Sequence, residues 1–217
     1  MGRPRLEHNI TAIQQCNLTL NQLAHKDLPS TSEQQLYYNC PCALGTRHIV
    51  YRSVKSANKS KTALKCRVCK GQGSKWEKVL YKLLDEMDEI EVYAVEACSL
   101  DKPEEAVKHN GVEVHPAKKR WDATLVLPGK LLIEMQGQGH IDRLVTKSNN
   151  TDSSLDERHW KDCLYAETAK QQGWSVLWMC VDETITSLDA QVAKWTAGLK
   201  EALEHVRAKA EPKLFVA

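Results

Sequence analysis

Two acidic residues stand in neighbouring apolar segments, at positions where their side chains would meet. Asp122 opens the segment 121–127, and Glu134 lies near the end of the segment 131–136. A Pro-Gly pair at 128–129 predicts a hairpin that brings both carboxylates side by side. Paired carboxylates at a sheet edge suit Mg²⁺, and such sites serve phosphodiester hydrolysis. The alternatives are a turn cap for Asp122 and an exposed edge-strand position for Glu134.

A second set of residues has the spacing of a zinc site. Four of the eight cysteines cluster at Cys40, Cys42, Cys66 and Cys69, and His48 lies between the two pairs. The Cys-x-x-Cys spacing of the second pair is typical of a zinc knuckle. The Cys-x-Cys spacing of the first pair is less regular, so the ligands are both of its cysteines, or one of them together with His48. We predict a structural Zn²⁺ that holds a small module together.

Charge is unevenly distributed along the chain. Residues 1–75 contain 12 Lys and Arg against 3 Asp and Glu, a net charge of +9, whereas residues 76–217 carry −7. A basic front segment favours a polyanionic partner, and double-stranded DNA is the expected one. The alternative is a basic surface that contacts only solvent. The residues expected to contact phosphate are Arg47, Arg52, Lys55, Lys65, Arg67 and Lys70.

The pattern of apolar residues divides the 217-residue chain into three parts. We predict a basic N-terminal arm over residues 1–36, a zinc module over 37–72 and a larger domain over 73–217. From residue 74 the hydrophobic periodicity predicts a helix, three strands, a helix, a strand and a final helix. This order is typical of an α/β fold with three layers around a mixed sheet.

The sequence carries no signal for a membrane or for export. No apolar run approaches the length of a membrane span, and the N-terminus lacks the apolar core of a secretory signal. Cys98, Cys163 and Cys180 fall in apolar segments and are predicted to be buried thiols, not disulfide partners. We therefore expect no membrane partner and a reducing intracellular compartment, either the cytoplasm or the nucleus.

In its order of elements and its placement of acids, the sequence resembles the PD-(D/E)XK nuclease superfamily, and within it the very-short-patch-repair-like group. The cysteine region resembles the treble-clef zinc ribbons that often precede such domains. The resemblance spans about residues 38–182 and implies a restriction-endonuclease-like core of the order αβββαβ. The segments that carry it are SKWEKVL at 74–80, RWDA at 120–123, LIEMQGQGH at 132–140 and GWSVL at 173–177.

The resemblance implies a role for each polar residue of these segments. Asp122 and Glu134 match the metal-binding acids of the family, and Glu77 matches an acid that many members keep on the first helix. Gln136 stands where the family usually has a Lys. His140 follows at the position where the repair-like members place a His. Some members of the fold use Gln or Glu in place of the Lys, so activity remains compatible with Gln136.

Several of these roles have competing explanations. A Gln136 amide orients a water molecule but cannot take its proton, so the base is His140, a second water or a neighbouring phosphate. His140 otherwise is a solvated loop residue. Glu77 fits a Ser74-x-x-Glu77 capping box, which by itself explains the acid. Lys161 either supplies the displaced positive charge or lies in solvent.

We expect a DNA endonuclease that depends on Mg²⁺ or Mn²⁺, with a zinc module that helps to bind DNA. A rival hypothesis is a non-catalytic zinc-ribbon protein that binds nucleic acid through a degenerate nuclease domain, and Gln136 favours it. A nuclease of the same fold that acts on junctions or RNA would share the chemistry and differ in substrate.

Overall fold

The chain consists of two compact units, Met1–Ala97 and Cys98–Ala217. The structure is a computed structural model, and no helix in the part of the chain that it describes is both long and apolar enough to cross a membrane. The residues that it describes are 35–39, 48–53, 71, 73–90, 92–97, 107–109, 112–115, 119–127, 130–137 and 152–217.

The described residues of the first unit form three strands and a helix. Strands β1 (Gln35–Asn39) and β2 (His48–Ser53) are antiparallel, and β3 (Val92–Ala97) runs parallel to β2. Helix α1 (Lys75–Glu86) precedes β3 in the chain. Thus β2, which comes from the stretch predicted as the zinc module, pairs with a strand from the predicted larger domain.

Helix α1 begins where the sequence predicts. Ser74 Oγ accepts a hydrogen bond from the backbone N–H of Glu77, with an N···O distance of 3.1 Å, and the Glu77 carboxylate accepts one from the N–H of Ser74. This reciprocal capping box satisfies two N–H groups that the first turn leaves without helical partners. Leu80 and Leu84, one turn apart, are fully buried on one face of the helix.

The second unit is built on a four-stranded mixed sheet. Its strands lie in the order β6, β7, β8 and β9; β6 and β7 are antiparallel, and the other two neighbouring pairs are parallel. A separate antiparallel hairpin, β4 with β5, precedes it. The bounds are β4 Val107–His109, β5 Val112–Val114, β6 Trp121–Leu127, β7 Leu131–Gln136, β8 Ser175–Cys180 and β9 Leu214–Val216.

Two long helices, α2 (Asp152–Gln171) and α3 (Leu188–Arg207), flank strand β8 in the sequence. Helix α2 ends at a turn in which Gly173 has a φ of +80°. That left-handed conformation favours glycine and lets the last carbonyls accept hydrogen bonds from the turn. The Gly173 N–H donates to Lys170 O with an N···O distance of 2.9 Å, and the chain then enters β8.

The helices cover opposite faces of β8. Val176 belongs to an apolar cluster with Ala166 and Ala169 of α2. Its neighbour Leu177 points to the other face, as alternation along a strand requires, and lies near Gly198 of α3. A Cβ at Gly198 would stand 2.3 Å from the Cβ of Ala217, so only a glycine lets α3 lie this close to the chain beyond β9.

The prediction of an α/β fold with a mixed sheet is confirmed. The local signals were sufficient for the three helices and for β3, β6, β7 and β8. Strands β1, β2 and β9 and the short hairpin of β4 and β5 were not predicted. The hairpin lies in the stretch that the sequence presents as a polar insertion.

Candidate active site

The antiparallel pairing of β6 with β7 places the two predicted acids opposite each other. Ala123 pairs with Ile133, and one further step along the ladder sets Asp122 against Glu134 on the same face of the sheet. The backbone N–H of Met135 donates to Asp122 Oδ2 with an N···O distance of 2.8 Å, which fixes that carboxylate beside β7. The Pro-Gly turn itself lies outside the described residues.

Strand β7 is a central strand, which excludes the exposed edge position as an explanation of Glu134. It lies between β6 and β8, and Leu131, Leu132 and Ile133 are fully buried. A continuous apolar run is typical of a strand that is covered on both faces. The side chain of Glu134 is 14% exposed. A carboxylate at such a place is costly to keep charged without a partner.

Lys119 supplies one partner. Its ammonium donates to Glu134 Oε1, and the side chain is 17% exposed. The same Nζ lies 5.6 Å from the ring centroids of both Trp121 and Tyr165. Cations are attracted to aromatic faces at this distance. Two rings, one from β6 and one from α2, therefore hold the ammonium beside Glu134.

The charges and the burial around Glu134 together disfavour its ionised form. Burial is the largest cause that raises the pKa of Glu134, and the charge of Asp122 raises it further. Lys119 lowers it and Asp162 of α2 raises it slightly, so that the pKa of Glu134 reaches about 8. The Lys119 ammonium therefore offsets burial and the Asp122 charge only in part, and the charged form of Glu134 is costly without further positive charge.

The same charges act on Lys119. Burial lowers the pKa of its ammonium, but Glu134, by charge and by hydrogen bond, together with Asp162 and Asp122 raises it above its ordinary value. Lys119 is thus held in its charged form. We call the group of Lys119, Asp122, Glu134, Gln136 and Asp162 the carboxylate site.

Two oxygen atoms of the carboxylate site have no hydrogen-bond donor among the described residues. These are Oε2 of Glu134 and Oε1 of Gln136, both buried. The two residues are two positions apart on β7, so their side chains lie on the same face of the sheet. Buried acceptors are normally paired. Together with the fixed Asp122 carboxylate across from Glu134, they make a set of hard oxygen donors.

This donor set fits Mg²⁺ in one of its usual modes. Within the described part of the chain, no group of three or more His, Cys, Asp or Glu side chains is arranged to hold a metal. Asp122 and Glu134 are therefore a two-carboxylate set, and Asp162 acts on it through its charge. Protein magnesium sites commonly use one or two carboxylates, with water and substrate phosphate as the other ligands.

The other predicted residues are distributed as follows. Glu77 is in the first unit, where its carboxylate completes the capping box of α1. Lys161 is half-buried in α2, next to Asp162. His48 and Arg52 belong to β2, whose side chains the structure does not describe. The residues outside the described ranges are Cys40, Cys42, Arg47, Lys55, Lys65, Cys66, Arg67, Cys69, Lys70 and His140.

Sequence reasoning missed Lys119 and Asp162. Lys119 stands in the basic run 118–120, which has the composition of a solvated loop. A usable signal existed for Asp162, because it lies four and seven residues before Ala166 and Ala169, on the same stripe of α2 as these buried positions. An acid on a buried stripe indicates a site.

Comparison with protein-family models, with curated proteins and with solved structures gave no match to this chain, so its functional assignment depends on the carboxylate site itself.

Proposed function

We propose that this chain is a DNA endonuclease that depends on Mg²⁺ or Mn²⁺, with a restriction-endonuclease-like core. One observation carries the proposal: Asp122 and Glu134 face each other on adjacent strands, while Glu134 Oε2 lacks a hydrogen-bond donor among the described residues. Bound Mg²⁺ would polarise the phosphodiester and lower the pKa of a water molecule.

The residues of the site would divide the work. Asp122 and Glu134 would hold the metal, and the Met135 N–H keeps the Asp122 carboxylate in place in advance. Oε1 of Gln136, which has no hydrogen-bond donor among the described residues, would accept a hydrogen bond from a water molecule and orient it. Lys119 would supply positive charge where the phosphate becomes more negative. The base that takes the proton from this water would be His140, a second water or a neighbouring phosphate.

The zinc module and the DNA contacts are part of the same proposal. Zn²⁺ would be bound by Cys66 and Cys69 with two of Cys40, Cys42 and His48. The excess of positive charge in residues 1–75 supports phosphate binding by this region. An intracellular, reducing compartment would keep these thiols able to bind metal.

A second candidate function has a specific observation in its favour. Gln136 occupies the place of the family's Lys, and Lys119 already gives Glu134 a cation from within the chain. A protein that had lost cleavage would keep such a pair as structure and would bind nucleic acid without cutting it. A junction- or RNA-acting nuclease remains a third possibility, with the same chemistry and a different substrate.

A nicking assay with matched variants tests the proposal. The full chain is incubated with supercoiled plasmid and Mg²⁺ or Mn²⁺, with EDTA as the blank. We expect Asp122→Asn and Glu134→Gln to lose cleavage by more than about 100-fold, and Gln136→Ala to lose less. Glu204→Gln, which changes an exposed acid of α3, is the control.

DNA binding by the same variants is measured by fluorescence anisotropy and is expected to stay close to wild type. Cleavage that survives Glu134→Gln would contradict the assignment of the carboxylates. If wild type binds DNA but cuts no plasmid, branched DNA or RNA with either metal, the binding-protein candidate replaces the nuclease.

A further inference from the structure

We infer that Lys119 is a built-in counter-ion: its ammonium occupies the position at Glu134 that a divalent cation would take, so the Lys119–Glu134 contact and the metal exclude each other. The inference rests on the proposed metal site and adds to it a residue that sets the metal affinity. It concerns binding and does not require that the bound form cleaves DNA.

The Lys119 ammonium donates directly to Oε1 of the carboxylate that would bind the metal. A divalent ion on that carboxylate would lie within a few ångströms of the ammonium, in surroundings where both side chains are mostly buried. Like charges repel strongly at such a distance because little water separates them. Entry of the metal therefore requires the ammonium to leave.

The surroundings of Lys119 offer its ammonium a second position, nearer to helix α2. Its Nζ lies at the same distance, 5.6 Å, from the rings of Trp121 and Tyr165, so the α2 side is as close as the β6 side. Asp162, three residues before Tyr165 on α2, also attracts the ammonium. A small movement of the side chain toward α2 would release Glu134 and leave Lys119 facing an anionic group bound at the site.

If Lys119 competes with the metal, its removal changes the metal affinity in the opposite direction from that expected if Lys119 supports the site. Removing a cation that merely organises the site would weaken metal binding. Removing a cation that competes with the metal would strengthen it. One opposite charge beside a carboxylate changes its proton affinity by about 10- to 1,000-fold, and the effect on a divalent ion at the same oxygen has the same origin.

The test uses Mn²⁺ as the probe and the zinc-loaded full chain, with bound Mn²⁺ measured from the electron paramagnetic resonance signal of the free ion. We expect Lys119→Met to bind Mn²⁺ at least about tenfold more tightly than wild type. Lys130→Met is the matched control, because Lys130 also stands over an aromatic ring, with its Nζ 5.9 Å from the centroid of Trp174. Glu134→Gln identifies the site by loss of the bound ion.

Unchanged or weaker Mn²⁺ binding by Lys119→Met would overturn the inference, as would binding that Glu134→Gln does not reduce. If Lys119→Met fails to fold, Lys119→Gln replaces it, and Lys119→Arg, which keeps the charge, is expected to stay at or below wild-type affinity. Tighter binding by the Met variant without any cleavage by wild type would uphold the counter-ion and reject the nuclease. Cleavage by wild type with unchanged affinity in the Met variant would do the reverse.

Discussion

Where helix α3 packs against the end of β8, the polar side chains of the helix form hydrogen bonds with the backbone at the end of the strand. Gln191 Nε2 donates to Cys180 O at 3.2 Å, and Gln191 Oε1 accepts from the Asp182 N–H at 2.9 Å. Trp195 Nε1 donates to the same Cys180 carbonyl at 2.8 Å. We call these four residues the amide cluster. Around Glu134, in the same unit, the described contacts leave buried oxygens without donors and set acids against one another.

The two regions differ in whether their buried polar groups have hydrogen-bond partners. A buried group whose hydrogen bonds are all made contributes modestly to stability, and it becomes costly only when a partner is removed. A buried group that lacks partners, or that lies beside like charges, reduces stability until a ligand arrives. Perturbed ionisable groups of this second kind are concentrated at functional sites. We therefore interpret the amide cluster as part of the fold and the carboxylate site as the candidate functional site.

The largest effect that tests this comparison is the pH dependence of the free energy of unfolding, measured without added divalent cation. The folded chain keeps a proton on Glu134 up to a pKa of about 8, whereas the unfolded chain loses it near the ordinary value of 4.5. Stability from this group is therefore fully present below pH 4.5 and is lost as the pH rises toward 8. We expect the free energy of unfolding to fall by a few kcal/mol over that range.

The matched variant is Glu134→Gln, which cannot ionise. Its stability in denaturant titrations at several pH values should lack this decline and should exceed that of wild type at pH 8. Glu204→Gln should keep the wild-type profile. A wild-type profile as flat as that of Glu134→Gln would show that the carboxylate site carries no such cost.

The second prediction concerns the amide cluster. Gln191→Leu removes the acceptor of the Asp182 N–H and one donor to the Cys180 carbonyl, and we expect a loss of about 2 kcal/mol in the free energy of unfolding. Chemical denaturation followed by tryptophan fluorescence measures it. Gln171→Leu, at an exposed position of α2, is the control. Equal stabilities of the two variants would remove the basis for treating the amide cluster as a folding device.

The smallest effect concerns Glu77, whose described contact is the capping box at the start of helix α1. Ser74→Ala should cost about 1 kcal/mol, because it removes the N-cap acceptor. Glu77→Gln should cost less than half of that, since an amide oxygen still accepts from the Ser74 N–H. Denaturation curves of both variants test this. A nicking defect in folded Glu77→Gln would instead show that Glu77 takes part in cleavage.

What could be predicted from the sequence was encoded locally. The capping box at Ser74, the glycine stop at Gly173 and the opposition of Asp122 and Glu134 each depend on a few adjacent residues or on one hairpin register. These features fix where elements begin, where they end and which side chains face each other, so sequence patterns were sufficient for them.

What was missed depends on contacts between distant segments. Lys119 has the sequence surroundings of a surface residue, but Tyr165 of α2 and Glu134 of β7 contact its side chain and make it mostly buried. Strand β9 has three residues, Leu214–Val216, and it exists as a strand because β8 offers an edge to pair with. Neither feature has a periodic pattern of its own.

Gly198 has a consequence for association between molecules. By letting α3 lie against Ala217, it keeps β9 paired along β8, whose central residues Val176 and Leu177 are fully buried. A larger residue at 198 would force the chain beyond β9 away and leave the hydrogen-bonding groups of an apolar strand unpaired. Such an edge is a template on which another chain can add a strand. We therefore expect a larger residue at position 198 to make the protein more prone to aggregation.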